Sequence, residues 1–179
     1  MQTRCHLSVL IHEQAKKYGD RVALSFQSFG STKWKSVSWN QFSLRVKQVS
    51  NALLNLGLKP QEKIAVFSQN CVQYLYTDFG AYGVRAVSIP FYATSSEQQI
   101  QYMINDANVR FIFVGEQEQY DKAHRVCGLC HSLERIIYFD NSIRVSSHDP
   151  QALSFEDFLK LGVKLPRQSE VEQLWAQAS

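Results

Sequence analysis

The sequence predicts an α/β fold: a mostly parallel sheet with helices on both faces, plus an N-terminal helix and a β-hairpin. The main observation is a series of short apolar runs, rich in β-branched and aromatic residues, at 64–67, 86–89, 111–114 and 135–139. Such runs are typical of strands buried on both faces. Segments with helical periodicity separate the runs, and this alternation indicates parallel strands joined by right-handed crossovers.

Two of the separating segments show the helical period directly. Each has apolar residues at i, i+3, i+4 and i+7, namely Val72, Leu75, Tyr76 and Phe79 in the first and Ile100, Met103, Ile104 and Ala107 in the second. This spacing places them on one side of an α-helix. Thr94 and Glu97 fit a Thr-x-x-Glu capping box, so the second helix is predicted to begin there.

The chain is predicted to open with a helix over residues 7–18 that ends at Gly19. The residues expected on its buried face are Leu7, Leu10, Ile11, Ala15 and Tyr18. This pattern assigns His12 to the polar face of the helix, with no chemical role.

A β-hairpin and a second helix are predicted to follow. Residues 21–26 and 33–38 alternate between apolar and polar side chains, which indicates two hairpin strands. Ser38 and Gln41 fit another capping box, so a helix is expected to begin there, and Gly57 is expected to end it.

Beyond the third strand, the sequence predicts a helix over 117–130, a turn-prone stretch over 140–150 and a short helix over 154–161. Residues 1–165 are interpreted as one N-terminal subdomain. Residues 166–179 are interpreted as a polar tail that is loosely held.

The composition is that of an ordinary globular domain. The chain has 179 residues, 45% of them hydrophobic and 20% charged, and a net charge of 19 − 16 = +3. Its basic residues do not cluster, which argues against a nucleic-acid partner. The sequence has neither a secretory signal pattern nor an apolar run of about 20 residues. We therefore expect a cytoplasmic protein whose four cysteines are thiols.

The sharpest local motif is Cys127-Gly128-Leu129-Cys130-His131. It matches the C-x-x-C-H pattern of covalent haem attachment, contains a C-x-x-C redox pair and, with His124, suggests zinc. A structural interpretation is favoured, because Cys127 and Cys130 follow Ala123 at i+4 and i+7 on one face of the predicted helix. A cysteine in such a position acts as a small hydrophobic residue. We therefore expect buried, reduced thiols without metal or haem.

Phosphate-binding and catalytic motifs do not occur in the chain. Neither a P-loop nor a G-x-G-x-x-G pattern is present, and no Ser/His/Asp set can be assigned. The nearest substitute for an anion site is Thr94-Ser95-Ser96 at a helix start, where capping is the favoured explanation. The aromatic residues Tyr74, Tyr76, Phe79 and Tyr82 are expected to serve mainly as core.

Several segments together resemble the adenylate-forming acyl-CoA synthetases, most of all their long-chain fatty acyl branch. The segments are collinear and span roughly residues 7–140; they are 33–42, 53–65, 68–70, 83–90 and 91–100. The resemblance implies the N-terminal part of the adenylate-forming fold. It also implies an enzyme that activates a fatty acid with ATP and Mg and then transfers the acyl group to CoA.

Members of that family carry further motifs that this chain lacks. They include a Ser/Thr/Gly-rich loop ending in Pro-Lys-Gly, a Tyr-Gly-x-Thr-Glu motif and a catalytic lysine. We therefore expect this chain to be the N-terminal portion of a long-chain fatty acid–CoA ligase, inactive by itself. The alternative is a stand-alone binding or scaffold module without ligase activity. The resemblance is compatible with peripheral membrane contact and with formation of a homo-oligomer.

The resemblance also suggests a ligand path at the carboxyl ends of the strands, where open parallel sheets bind ligands. In the synthetases, the loop that corresponds to 90–95 lies beside the entry of CoA. Tyr92 and Thr94 are thus predicted to wall the pantetheine channel, and Lys122 to attract a CoA phosphate as an exposed cation. The alternative is that Phe91 and Tyr92 pack on the helix and Thr94 only caps it.

Overall fold

The computed structural model describes residues 6–147 and 149–177; His148 and the chain ends, including residues 178–179 of the predicted tail, lie outside these ranges. In chain order the elements are α1 Leu7–Tyr18, β1 Val22–Gln27, β2 Trp34–Ser38, α2 Trp39–Asn55, β3 Lys63–Phe67, α3 Val72–Gly83, β4 Val87–Phe91, α4 Glu97–Ala107, β5 Val109–Val114, α5 Gln117–Cys127, β6 Arg135–Tyr138, β7 Ala152–Ser154, α6 Phe155–Lys164 and α7 Gln168–Ala176.

Five strands form one parallel sheet in the order β4-β3-β5-β6-β7, and β1 and β2 form a separate antiparallel hairpin. The predicted fold class, the hairpin and the parallel pairing of the four predicted strands are confirmed. The sequence analysis missed β7, because this edge strand has three half-buried residues and shows no periodic signal.

The sheet has two covered faces, each with its own core. Along β3, Ile64 and Val66 contribute to one core, whereas Ala65 and Phe67 contribute to the other, as the two-residue strand period requires. One side, here called the α4–α5 face, is covered by α4 and α5. The other, the α2 face, is covered by α1, α2, α3, α6 and α7.

Of the two helix starts that were predicted from capping boxes, one is confirmed and the other is wrong. The start of α2 is confirmed, because Ser38 Oγ accepts from Gln41 N at 3.2 Å and Gln41 Oε1 accepts from Ser38 N at 2.9 Å. The predicted cap of α4 is wrong, because the reciprocal pair there is Ser96 with Gln99. A turn closed by Ser95 N and Tyr92 O at 2.9 Å still precedes the helix.

The predicted span of α1 is confirmed, and Gly19 ends it with a φ of 56°. Its predicted buried face is partly wrong: Leu7 is exposed and His12 is only 6% exposed. The face of α1 that packs on α2 includes His12. His12 Nδ1 forms a hydrogen bond of 2.7 Å with Ser43 Oγ. His12 is therefore a core residue.

Two predictions about the second half of the chain need correction. Helix α5 ends at Cys127, and turns occupy Gly128 and Leu129, so the helix does not reach Cys130. The tail is not loosely held over its described part, because α7 packs on the α2 face with Val171 fully buried. Arg167 fixes its start, since the backbone N donates to Asn51 Oδ1 at 3.1 Å and the guanidinium to Leu54 O at 2.7 Å.

In the described part of the chain, no helix combines the length and the apolar character that crossing a membrane requires.

Candidate functional site

The carboxyl ends of four parallel strands meet at one edge of the sheet, here called the carboxyl edge. Its loops are 68–71, 92–96, 115–116 and 139–141. This is the position where open parallel sheets bind ligands.

The first and third loops touch each other closely. Gly115 N donates to Phe67 O at 3.1 Å, and a Cβ on Gly115 would overlap Ser68 Oγ and lie 3.2 Å from Ser68 Cα. Only glycine permits this approach. Ser68 Oγ donates to Gln69 O at 2.7 Å, and burial raises the pKa of the neighbouring Cys71 thiol. These side chains are therefore engaged in structure, and the thiol is not activated as a nucleophile.

Loop 92–96 is attached to α5 by a buried glutamine. Gln119 Nε2 donates to Ala93 O at 3.0 Å, while its Oε1 accepts from Glu116 N at 3.0 Å. One amide thus joins two loops of the carboxyl edge. The sequence analysis missed Gln119, although its position three residues after Glu116 in a capping-box pattern was a usable signal.

Lys122 is not the exposed cation that was predicted. Its ammonium donates to Ser95 O at 3.0 Å and pairs with Glu118 Oε1 at 2.7 Å, and its side chain is 15% exposed. Because α5 packs beside loop 92–96, the lysine stem is covered and its charge is already paired. Lys122 holds the loop in place.

Tyr92 and Thr94 both lie at the surface of the carboxyl edge. Tyr92 is 85% exposed, whereas the preceding Phe91 is buried in the core of the α4–α5 face. Thr94 is exposed and caps no helix, because Ser96 fills that role. The alternative of packing and capping is thus wrong for Tyr92 and Thr94 but holds for the packing of Phe91. The role of Tyr92 and Thr94 beside a CoA path stays a prediction.

A second buried polar cluster centres on Asp149, whose side chain is 2% exposed. Its carboxylate accepts from Tyr120 Oη at 2.9 Å and from Gln151 N at 3.0 Å, and it lies 3.0 Å from His124 Nδ1. Burial, together with the Asp149 charge, raises the pKa of Tyr120 to about 12. The cluster anchors the connection between β6 and β7 to α5. It also brings Asp149 close to His124, a proximity that the sequence did not reveal.

The C-x-x-C-H motif lies away from these loops. Cys130 is buried in the core of the α4–α5 face, Cys127 is partly buried, and burial raises the pKa of both thiols. Both are free cysteines, which fits the structural interpretation. Within 6–147 and 149–177, no three His, Cys, Asp or Glu side chains are grouped so as to hold a metal ion. The absence of metal and haem in the protein stays a prediction.

The described residues thus form a parallel sheet with four loops at its carboxyl edge, and their polar side chains there bond mainly to one another and to the backbone. Solved structures with this architecture include the anthranilate CoA ligase AuaEII in complex with anthranoyl-AMP, with a TM-score of 0.76 and 19% identity over 89% of this chain and 29% of that one. Another is coronafacic acid ligase from Pectobacterium brasiliense, with a TM-score of 0.75 and 14% identity over 87% of this chain and 29% of that one. The fold is therefore part of the adenylate-forming enzyme fold.

The family itself is shown by sequence. The family model described as AMP-binding enzyme matches residues 11–170, and the chain belongs to this family. Similar proteins include the long-chain-fatty-acid–CoA ligase ACSBG1 of Homo sapiens, 24% identical over 89% of this chain and 22% of the relative. The ligase ACSBG2 of Homo sapiens is 24% identical over 97% of this chain and 25% of the relative. The chain thus spans about a fifth to a quarter of the length of these relatives.

Proposed function

We propose that this chain is part of an ATP-dependent acid–thiol ligase that converts a long-chain fatty acid to acyl-AMP and then to acyl-CoA. The observation that carries the proposal is the collinear match to long-chain fatty acid–CoA ligases across most of the chain. The family match supports the use of ATP, and the names of the relatives support a fatty acid and CoA as substrates. We place the enzyme in the cytoplasm.

The role proposed for these residues is scaffolding and positioning. Attack of a carboxylate on ATP builds charge on phosphorus, and that charge needs preorganised donors. The described carboxyl edge offers no lysine or arginine free for this purpose near loop 92–96, because Lys122 is paired and Arg125 binds Glu97 at 2.7 Å. We therefore expect the 179-residue chain alone not to form acyl-AMP. Within the described residues, no three His, Cys, Asp or Glu side chains are grouped so as to hold Mg.

The test is an assay of the complete protein from the same gene with palmitate, ATP, Mg and CoA. The expected products are palmitoyl-CoA, AMP and pyrophosphate. Absence of both acyl-AMP and acyl-CoA from a folded preparation, tested across short and long fatty acids, would instead favour a binding or scaffold module.

Within this function, Tyr92 and Thr94 are proposed to wall the pantetheine path, while Lys122 positions their loop. Their exposure at the carboxyl edge supports the proposal. In the complete enzyme, Tyr92→Ala is expected to raise the KM for CoA several-fold and leave acyl-AMP formation unchanged. Tyr102→Ala is the matched control, because Tyr102 is an exposed tyrosine on α4 outside the carboxyl edge. Equal effects of the two variants would contradict the assignment.

A further inference from the structure

The turn between α5 and β6 contains both cysteines of the C-x-x-C-H motif. The sequence favoured a structural role for them because both were assigned to one face of the predicted helix. In the structure α5 ends at Cys127, and Cys130 lies beyond the turn that follows. The pair is thus held by a turn and does not lie along a helical face.

The backbone places Cys127 and Cys130 at the first and fourth positions of this turn. Cys130 N donates to Cys127 O at 3.2 Å, and Leu129 N donates to Val126 O at 2.9 Å. Such a turn keeps the first and fourth Cα atoms within about 7 Å, and a disulfide needs a Cα separation of about 4.4–6.8 Å. Burial, and then the charge of the nearby Cys127, raises the pKa of the Cys130 thiol. The turn therefore already provides the separation that a disulfide requires.

Neighbouring elements hold the turn in place. Asn105 Nδ2, near the end of α4, donates to Leu129 O at 3.2 Å, and Leu133 N donates to Cys130 O at 3.1 Å. On its inner side, Cys130 belongs to the core of the α4–α5 face. Because the turn is fixed before a bond forms, closing a disulfide there has a small entropic cost.

Access to the two thiols differs. Cys127 is partly exposed, and the adjacent Gly128 is exposed with no atom within 4 Å of an added Cβ, whereas Cys130 is only 2% exposed. A small oxidant can therefore reach Cys127 first, and Cys130 can attack from the inner side. Burial, with the charge of Asp149, raises the pKa of the Cys127 thiol, so its thiolate is scarce at neutral pH and the first step is slow.

We propose that Cys127 and then Cys130 exchange with a low-molecular-weight disulfide to form a reversible intramolecular disulfide, which makes this turn a two-electron redox site. The Cys127 thiolate attacks one sulfur of the oxidant, whose S–S bond breaks and releases one thiolate. The Cys130 thiolate then attacks Cys127 Sγ in the mixed disulfide, and the second thiolate of the oxidant leaves. The protein loses two electrons, and the protons of its two thiols pass to the released thiolates. The proposal is independent of ligase activity.

The test treats the folded 179-residue chain with oxidised glutathione at about pH 8, where exchange is faster. Acid quenching, alkylation with N-ethylmaleimide and tryptic mass spectrometry follow. Cleavage after Arg125 and Arg135 leaves both cysteines in one peptide, 126–135. This peptide is expected to lose two hydrogen atoms, to resist alkylation and to regain the dithiol form with dithiothreitol.

The same measurement in concentrated urea separates the folded site from the chemistry of the bare peptide. At one fixed ratio of reduced to oxidised glutathione, the ratio of disulfide to dithiol should be about tenfold higher in the folded chain, because the turn holds the cysteines together.

Two variants test the order of attack. Cys130→Ala leaves Cys127 without its partner, so Cys127 should accumulate a mixed disulfide with glutathione. Cys127→Ser leaves the buried thiol, which should react about tenfold more slowly than Cys127 does in the other variant. Cys71→Ser is the matched control, because Cys71 is a partly buried free cysteine outside the turn, and the bridge in 126–135 should form as before.

The proposal is wrong if the peptide 126–135 carries only mixed disulfides without an internal bond, or if the folded chain gives no more of the bridge than the chain in urea. Equal reaction rates of the two thiols in variants that keep the Tm of the unmodified chain would equally overturn it.

Discussion

The two faces of the sheet are covered by helices of different origin along the chain. On the α4–α5 face, each helix directly follows one strand and leads into the next strand of the chain. Helix α4 crosses from β4 past β3 to β5, and α5 joins β5 to its neighbour β6. On the α2 face, helix α2 packs against α1 and α3 from the first half of the chain and against α6 and α7 from its other end. One face is thus built by local crossovers, whereas the other requires both ends of the chain to meet.

The contacts across the α2 face join residues more than 100 positions apart. Asn55 Nδ2 donates to Leu161 O at 2.8 Å, and Asn51 accepts from Arg167 N, a separation of 116 residues. Ordering such contacts has a larger loop-closure cost than ordering neighbours, although the cost grows slowly with length. We infer that the α2 face is the more sensitive of the two to single substitutions at its helix contacts.

The largest effect is expected where α6 crosses α2. A Cβ at Gly162 would overlap the backbone oxygen of Gln48 and lie 3.0 Å from Ala52 N, so the helices would have to separate. Gly162→Ala should lower the free energy of unfolding by about 3 kcal/mol, measured by urea denaturation. Gly128→Ala, at the end of α5, is the control because no atom lies within 4 Å of its added Cβ. A similar loss in both variants would contradict the inferred difference.

Acid should weaken the α2 face through His12. Burial, with the nearby charges of Lys47 and Lys16, lowers the pKa of His12 from 6.5 to about 4, against the opposing effect of Glu13 and Glu172. Between pH 4 and pH 6.5, the His12 side chain is protonated in the unfolded chain and neutral in the folded chain. The free energy of unfolding therefore falls as the pH drops from 6.5 toward 4, by about 2 kcal/mol after allowance for solvent screening.

The check is the pH dependence of urea denaturation in the unmodified chain and two variants. His12→Asn keeps a group that can bond Ser43 but removes the titration, so this part of the pH dependence should disappear. His131→Asn is the matched control, because His131 is exposed and lies outside the core of the α2 face, so the contribution of His12 should persist in this variant. An unaltered profile in His12→Asn would show that His12 is not the responsible group.

A smaller loss is expected from the core contact of α7. Val171 is fully buried on the α2 face, and Val171→Ala removes two methyl groups from that core. The free energy of unfolding should fall by about 1.5 kcal/mol. Val163→Ala changes an exposed valine of α6 and should alter stability by less than about 0.5 kcal/mol. Stability that is unaffected by Val171→Ala would mean that α7 does not belong to the core.

The smallest of these effects is expected on the α4–α5 face. Gln119→Ala removes the amide that joins Ala93 O to Glu116 N. The free energy of unfolding should fall by about 1 kcal/mol. Because the contact is local, hydrogen exchange should accelerate in loop 92–96 and stay unchanged in α2. The exposed Gln98 provides the control variant Gln98→Ala, which should leave exchange in the loop as it is.

The sequence was informative where structure depends on neighbouring residues. The buried strands, the crossovers and the Ser38–Gln41 cap follow from short-range periodicity and capping chemistry, and all were predicted. It failed locally at the start of α4, where Ser96 and Gln99 form the reciprocal cap in place of Thr94 and Glu97. It also failed where segments distant in the chain determine the structure. His12 is buried because α2 supplies Ser43 and α7 supplies Trp175, whose ring stacks on His12 at a centroid distance of 4.7 Å. No local pattern encodes that arrangement.

The candidate site shows the same division. The position of loop 92–96 at the carboxyl edge follows from the order of strands and helices, whereas the ligand path through Tyr92 and Thr94 stays a prediction. The pairing of Lys122 with Ser95 O could not be read from the sequence, because it depends on how α5 packs beside a loop 27 residues earlier in the chain. The turn at Cys127 and Cys130 likewise depends on where α5 ends, which the helical spacing of the two cysteines did not reveal.

The most direct test of the two-face architecture is native-state hydrogen exchange of the 179-residue chain, compared between α7 and the central helix α2. If both ends of the chain close one core, the amides of α7 around Val171 should exchange with an opening free energy close to that of the buried part of α2. Opening of α7 at near-zero free energy while α2 stays protected would contradict that architecture, because α7 would then lie on a core that is complete without it.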